Sequence, residues 1–320
     1  MERIPLPHSA PAPAAVLVVG SVAYDDIITP HASGERILGG SASYAALAAS
    51  FFAPTRLVGV VGHDFAPHDL ARLHARGIDL EGLQVDASGP TFHWKGQYHE
   101  NFNRRDTLEL DLNVFERFRP TLPPAYQKSE YALLGNIHPA LQRHVRKELA
   151  AGVFTAADTI DLWIKTTRDE LLALLREIDL FIINDSEAEI LTGHTNLIRA
   201  GHALRELGPR LIIIKKGEHG AYLFHPEGLF ALPAYPVTDL RDPTGAGDSF
   251  AGALLGALAV LTGAGQPAKP TFAQLKHAML FATVVASLTV EAFSVDRLES
   301  TGPVEIEKRV AQLRTLVALD

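Results

Sequence analysis

The residues Asp242-Pro243-Thr244-Gly245-Ala246-Gly247-Asp248-Ser249-Phe250 form the segment of this chain best suited to chemistry, and small and apolar residues at helical spacing follow them through Leu261. Gly245 and Gly247 let a backbone approach a ligand closely and turn successive N–H groups the same way. A helix start adds unpaired donors and the positive end of a dipole. With the Asp248 carboxylate at that end, the segment predicts an anion site beside a base. A lone Gly-x-Gly-Asp is also an ordinary tight loop whose Asp caps the following helix, so the length of the motif carries the argument. It is not a phosphate loop ending in Gly-Lys-Ser or Gly-Lys-Thr. Nor is it a Gly-x-Gly-x-x-Gly dinucleotide loop, because the next glycine, Gly252, lies five residues beyond Gly247.

The elements that must hold this loop are those of an α/β protein. Residues 16–20 are a short apolar run closed by glycine, which reads as a buried parallel strand. Small and apolar residues recur at helical spacing over 39–52, and 57–61 is again strand-like. Further strands are expected at 132–134, 180–183 and 211–214, separated by amphipathic stretches such as 141–149 and 167–178. A mostly parallel sheet covered by helices on both faces follows. Between Thr91 and Leu112 the helical period is lost, and Thr91, Phe92, His93, Trp94 and Tyr98 mix aromatic with polar character. With residues near 22–28 and 37 they are expected to build a small sheet over a site, or else a surface hairpin packed by its own aromatics. Residues 1–15, with four prolines, read as a loose, flexible tail.

Bulk properties narrow the function. The chain has 320 residues, 47% hydrophobic and 21% charged, which suits one large domain with a small appendage. A net charge of -8, with Arg104-Arg105 as the one notable basic cluster, argues against nucleic acid as a partner. The absence of cysteine excludes disulfides, thiolate catalysis and iron–sulfur sites. The apolar run 254–261 is too short to span a bilayer, so a core helix and a cytoplasmic place are expected, with no membrane partner.

The nine-residue motif resembles, nearly residue for residue, the C-terminal signature of ribokinase-like kinases, the PfkB carbohydrate-kinase family. The resemblance implies a three-layer α/β fold with a mostly parallel central sheet and a small β lid. It sets the kinase domain at 16–320, with lid segments near 22–37 and 91–112. It implies that Asp248 is the catalytic base and that Gly245, Ala246 and Gly247 supply the anion-binding amides. Val18-Val19-Gly20-Ser21-Val22-Ala23-Tyr24-Asp25 looks like the family's first strand, whose closing aspartate binds substrate hydroxyls, so Asp25 takes that role, with Asp26 as its close competitor. Gly39-Gly40 is similar to the paired glycines where lid meets domain, with Ser41 and Tyr44 beside the acceptor. The family usually carries asparagine where Tyr44 stands, a departure that counts against ribose or a plain hexose and leaves room for a different polyol or a nucleoside.

Asn184-Asp185-Ser186-Glu187 resembles the family's Asn-x-x-Glu element, in which Asn184 and Glu187 organise Mg2+ near the nucleotide; the same residues read as a helix capping box. Lys215-Lys216-Gly217-Glu218-His219-Gly220 resembles the loop that passes ATP, with Lys215, Gly217 and Gly220 beside it and Thr244 nearby. Asp242 and Thr244 are candidates for a monovalent cation such as K+. Asn136 and His138 are weaker candidates to face substrate. The implied reaction is ATP-dependent phosphorylation of a hydroxyl on a sugar or sugar-like molecule, with a nucleoside or inositol as alternative acceptor. A non-catalytic binding protein of the same fold is the alternative in another class. An exposed lid edge would permit a homodimer.

Overall fold

A computed structural model describes residues 14–102, 104–265 and 269–318. The tail expected over 1–15 falls outside the described residues up to residue 13. Ala14 and Ala15 are packed, their N–H groups donating to the Ala259 carbonyl at 3.2 Å and to Glu130 Oε2 at 2.8 Å. In chain order the strands are β1 (Val16–Val19), β2 (Ala23–Ile28), β3 (Ser33–Gly39), β4 (Thr55–Gly62), β5 (Asp79–Asp86), β6 (Phe92–Tyr98), β7 (Arg105–Asp111), β8 (Tyr131–Leu134), β9 (Phe154–Ala157), β10 (Leu180–Asn184), β11 (Leu211–Lys215), β12 (Ala221–His225) and β13 (Gly228–Leu232). Nine of these form one sheet in the order β13-β12-β11-β10-β9-β8-β1-β4-β5. From β11 to β5 the pairings are parallel, and at the other edge β12 pairs antiparallel with both β11 and β13.

The continuous apolar runs have a direct structural reason. Val16 and Val18, Leu180 and Ile182, and Leu211 and Ile213 join one core, while their neighbours Leu17 and Val19, Phe181 and Ile183, and Ile212 and Ile214 join a second core on the opposite face. Successive side chains on a strand point to opposite faces, so a sheet covered on both sides needs apolar residues at every position. The long apolar helix Phe272–Thr289 meets the length and composition of a membrane span, but 67% of it is buried inside the protein.

The Ser41–Ala49 and Ala246–Thr262 helices cross at very close range. A Cβ built on Gly252 would stand 2.0 Å from the Ala45 carbonyl oxygen, and one on Gly256 would stand 2.8 Å from that of Ala49. Small residues one turn apart on each helix therefore bring the two backbones together. That contact fixes the start of the second helix, with its glycine loop, over Tyr44 of the first.

The other four strands make a separate sheet, ordered β3-β2-β6-β7. It is drawn from residues 23–39 and 92–111, and every residue of its edge strand β7 is exposed.

Candidate active site

In parallel α/β sheets the loops after the carboxyl ends of the strands line the binding crevice, at the point where strand order reverses. Here the order reverses between β1 and β8. The β1 loop is tied to the next helix by a serine clasp: the Ser41 N–H donates to Ser21 Oγ at 3.0 Å, and the Ser21 N–H donates to Ser41 Oγ at 3.2 Å. Ser41 is buried under Gly20 and Gly135, each so close to its side chain that a Cβ there would lie 2.6 or 3.2 Å from its Oγ. Its hydroxyl is thus committed to the frame.

Asp25 leaves β2 with only 4% of its surface exposed. Its carboxyl lies where a Gly39 side chain would be, 2.0 Å from the built Cβ, and it accepts the Gly40 N–H. Burial, then the charges of Asp242 and Asp248, push it up to about 8. Asp26 points elsewhere, accepting the Arg36 N–H at 2.7 Å with His93 3.4 Å away. Burial makes it a weaker acid, but these partners outweigh that and hold the carboxyl below its ordinary range.

The glycine loop has the expected form. Gly245 caps the Ala246–Thr262 helix at φ 75, a left-handed conformation that glycine adopts readily, and a Cβ there would strike the Tyr44 ring at 2.3 Å. Tyr44 is therefore the floor of the loop. It is fully buried and its hydroxyl has no hydrogen-bond partner. Asp242 Oδ1 accepts the Thr244 N–H at 2.9 Å, and Oδ2 is buried without a partner. Burial pushes this carboxyl up to about 6. The Ala246 N–H is turned back to the Pro243 carbonyl at 3.3 Å, so it is engaged. Among the described residues the Gly245 and Gly247 N–H groups have no such acceptor. Asp248 follows, half-buried, with its carboxyl facing the cations Lys215 and Arg105.

Lys215 ends β11 with its Nζ 2.5 Å from a Cβ built on Gly247, so the ammonium lies on the loop itself. Lys216 turns away, its Nζ 3.8 Å from the centre of the Tyr222 ring. Gly217 and Gly220 close the turn into β12; the built Cβ of Gly220, at φ 85, would stand 2.0 Å from the Leu232 carbonyl oxygen. Packing of the turn thus accounts for that glycine. Asn184 and Glu187 form a full capping box: Asn184 Oδ1 accepts the Glu187 N–H at 2.8 Å, and Glu187 Oε2 accepts the Asn184 N–H at 3.0 Å. Ser186 Oγ also donates to Asn184 Oδ1, at 2.8 Å. Glu187 is 8% exposed, and burial raises it against the pull of Lys215 and Arg105. His138 and Asn136 are used locally, His138 capping the Pro139–Glu148 helix and Asn136 Oδ1 accepting from Trp163 at 2.9 Å.

Two residues join the site that the sequence did not single out as site residues. Asp158 follows β9, 6% exposed, in hydrogen-bond contact with the Asp248 carboxyl. Its backbone is held by a 3.3 Å bond to Leu134 and by the buried Gln142 side chain, which donates to the carbonyls of Leu134, Gly135 and Asp158. Burial and the Asp248 charge raise Asp158 far above the ordinary carboxyl range. Burial raises Asp248 as well, against the pull of Lys215 and Arg105. Arg105, at the start of β7, reaches back to Tyr98, and Tyr98 Oη lies 3.0 Å from Thr244 Oγ1. An Asp at the end of an apolar strand run was the available signal for the first. The position of Arg105, opposite Tyr98 across an edge pair, had no signal in the sequence.

A doubly covered parallel sheet, a small separate sheet and a glycine loop with a carboxylate at a helix start define the ribokinase-like fold. The fold is shared with the nucleoside kinase of Burkholderia thailandensis bound to inosine, at a TM-score of 0.76 and 22% identity over 94% of this chain and 98% of that one. It is shared also with the aminoimidazole riboside kinase of Salmonella enterica, complexed with aminoimidazole riboside and an ATP analog, at a TM-score of 0.72 and 21% identity over 92% and 99% of the chains. In sequence the chain is similar to the cytidine kinase of Thermococcus kodakarensis, 28% identical over 247 residues, which cover 75% of this chain and 87% of that protein. It is 30% identical to the bifunctional protein HldE of Pseudomonas syringae pv. syringae over 90% of this chain, which spans only 62% of that protein. The family model for pfkB family carbohydrate kinases matches residues 14–301. The chain belongs to the PfkB family of carbohydrate kinases. It is a kinase that phosphorylates a hydroxyl group of a sugar or sugar-like molecule.

Proposed function

We propose that Asp248 is the general base of this kinase and that the loop at 245–248 receives the phosphoryl group of ATP. The observation that carries this reading is the placement of a half-buried carboxylate at a helix start, with two unengaged glycine amides and the Lys215 ammonium beside it. Phosphoryl transfer asks little covalent chemistry of a protein and much positioning and charge stabilisation. Each amide aimed at developing charge is worth about 3 kcal/mol, and a placed base about 10² to 10⁴ in rate. Asp248 must be ionised to act; its burial opposes that state, and Lys215, Arg105 and the Asp158 carboxyl favour it.

Asp25 anchors the acceptor. Held at about 8, its carboxyl keeps a proton at neutral pH, so it both donates to and accepts from sugar hydroxyls. Glu187 would hold Mg2+ through water, using the oxygen that the capping box leaves over; Asn184 Oδ1 already accepts two hydrogen bonds and serves to fix Glu187. Bound there, Mg2+ supplies neutralisation of the phosphates. The orphaned Asp242 Oδ2 fits a monovalent cation such as K+ in the same buried corner. The small sheet acts as a lid that excludes water, tied to the loop by the Tyr98–Thr244 contact. Its exposed edge, with Leu108 and Leu110 open to solvent, suits pairing with a second lid in a homodimer. Use of ATP fits a cytoplasmic enzyme.

A nucleoside is the second reading. Trp94 pairs across the sheet with Asp25 and so shares its face, where it is half-buried and offers a flat aromatic surface to a base. A coupled ADP-release screen over sugars, inositols and nucleosides tests both readings. Turnover with one acceptor class, abolished in Asp248→Asn, is expected. Equal ADP release by the variant and the native protein would remove Asp248 from the role of base.

A further inference from the structure

Arg105 occupies a place that its position on an exposed edge strand does not suggest. It pairs directly opposite Tyr98 in the β6–β7 ladder, and its guanidinium hydrogen-bonds the Tyr98 side chain while lying 5.4 Å from the centre of the Trp94 ring. The bond that aims it is to a phenol rather than to a carboxylate. Tyr98 in turn meets Thr244 of the glycine loop at 3.0 Å. The guanidinium is thereby brought near enough to Asp248, Asp25 and Glu187 to favour their ionised forms. Lys215 approaches the same carboxylate from the main sheet, with its Nζ at Gly247. Two cations from two different sheets thus act on one base.

A phosphate passing between these groups would meet an ammonium on the frame and a planar guanidinium on the lid, whose fork engages two oxygens at once. We propose that Arg105 is a catalytic residue, carried to the phosphoryl group in transit by the small sheet, and this rests on the kinase reading above. In the step it serves, the acceptor oxygen forms its bond to the γ-phosphorus as the bridging P–O bond breaks. The hydroxyl proton passes to Asp248 and the electron pair of the broken bond stays on ADP. Charge on the equatorial oxygens then lies between Lys215 and Arg105. Because Arg105 arrives only with a docked lid, the full charge complement is assembled only when water has been displaced, which restrains hydrolysis of ATP.

Arg105→Gln and Arg105→Lys test this, since an exposed edge position tolerates substitution without unfolding the chain. The first measurement is the thermal shift produced by MgADP alone and by MgADP with aluminium fluoride, which mimics a phosphoryl group in flight. Arg105→Gln is expected to keep the MgADP shift and lose the additional aluminium fluoride shift, with Arg105→Lys between it and the native protein. The second is turnover on the acceptor found by the screen, where kcat should fall about 10²- to 10³-fold with KM for ATP within about threefold. An aluminium fluoride shift unchanged in Arg105→Gln, or absent from the native protein, overturns the proposal. Loss of that shift in the variant, with no acceptor phosphorylated by the native protein, would uphold Arg105 and reject the acceptor reading instead.

Discussion

The large and the small sheet contribute to the same site from opposite conditions of packing. In the large sheet every residue of β1, β8 and β9 is buried, and alternate side chains enter two different cores. In the small sheet β7 is exposed throughout and β3 is buried only at its last two residues. From the large sheet and its helices come Asp158, Glu187, Lys215 and Asp248; from the small sheet come Asp25, Tyr98 and Arg105. Regions with few buried contacts open at low free energy, and lids are drawn from them. The difference teaches a division of labour: Asp248, the glycine loop and Lys215 belong to a frame packed on both faces, whereas Asp25, Tyr98 and Arg105 reach the same site from a sheet with an open edge.

The strongest attempt to break that division is Asp248→Asn. Turnover should fall by about 10² to 10⁴, while the affinity for ATP, measured by calorimetry, changes by less than about threefold. A large loss of ATP affinity would mean that this carboxylate serves binding rather than proton transfer. Next is the frame itself. Gly252→Ala places a methyl group against the Ala45 carbonyl and should destabilise the fold by about 1–3 kcal/mol in urea unfolding. An unchanged midpoint would show that the two helices are free to separate.

Asp25→Asn sharpens the comparison from the small sheet. Its carboxyl is held near 8 rather than at 3.8, so between those values the folded protein keeps a proton that the unfolded chain releases. Stability must therefore fall as pH rises through this window. Replacing the carboxyl with an amide removes that slope, so the variant should be more stable than the native protein at pH 8, by several kcal/mol, with little difference near pH 4. Its KM for the acceptor should rise in parallel. A stability gain that is equal at both pH values would contradict the raised carboxyl.

The smallest effect is expected for Tyr98→Phe, which deletes the hydroxyl joining the lid to Thr244 and Arg105. A loss of about 1 kcal/mol, or roughly fivefold, should appear mainly in kcat/KM for the acceptor. An unchanged kcat/KM would show that the Tyr98 hydroxyl does not tie the small sheet to the loop.

Much of this arrangement was legible in the chain. The strand runs at 16–20, 57–61, 132–134, 180–183 and 211–214 correspond to β1, β4, β8, β10 and β11, because doubly buried strands must be apolar at every position. The short β9 and the antiparallel β12 and β13 were not read, since four or five residues bounded by ordinary loops carry too little pattern to tell strand from turn. The loop at 242–250 was legible because its chemistry is local: a helix start, two glycines and a carboxylate are consecutive in sequence. The capping box of Asn184 and Glu187 was legible for the same reason.

What the amino-acid order determined alone was therefore the glycine loop, where amides and carboxylate lie within a few residues and backbone geometry brings them together. Only the folded chain decided that Lys215 rather than Lys216 meets Gly247, that Tyr44 lies beneath the loop, that Asp158 meets Asp248, and that Arg105 crosses from an edge strand toward the same carboxylate. Each of these pairs residues distant in sequence. Their meeting depends on strand order and on the close crossing of two glycine- and alanine-lined helices, which no local pattern encodes.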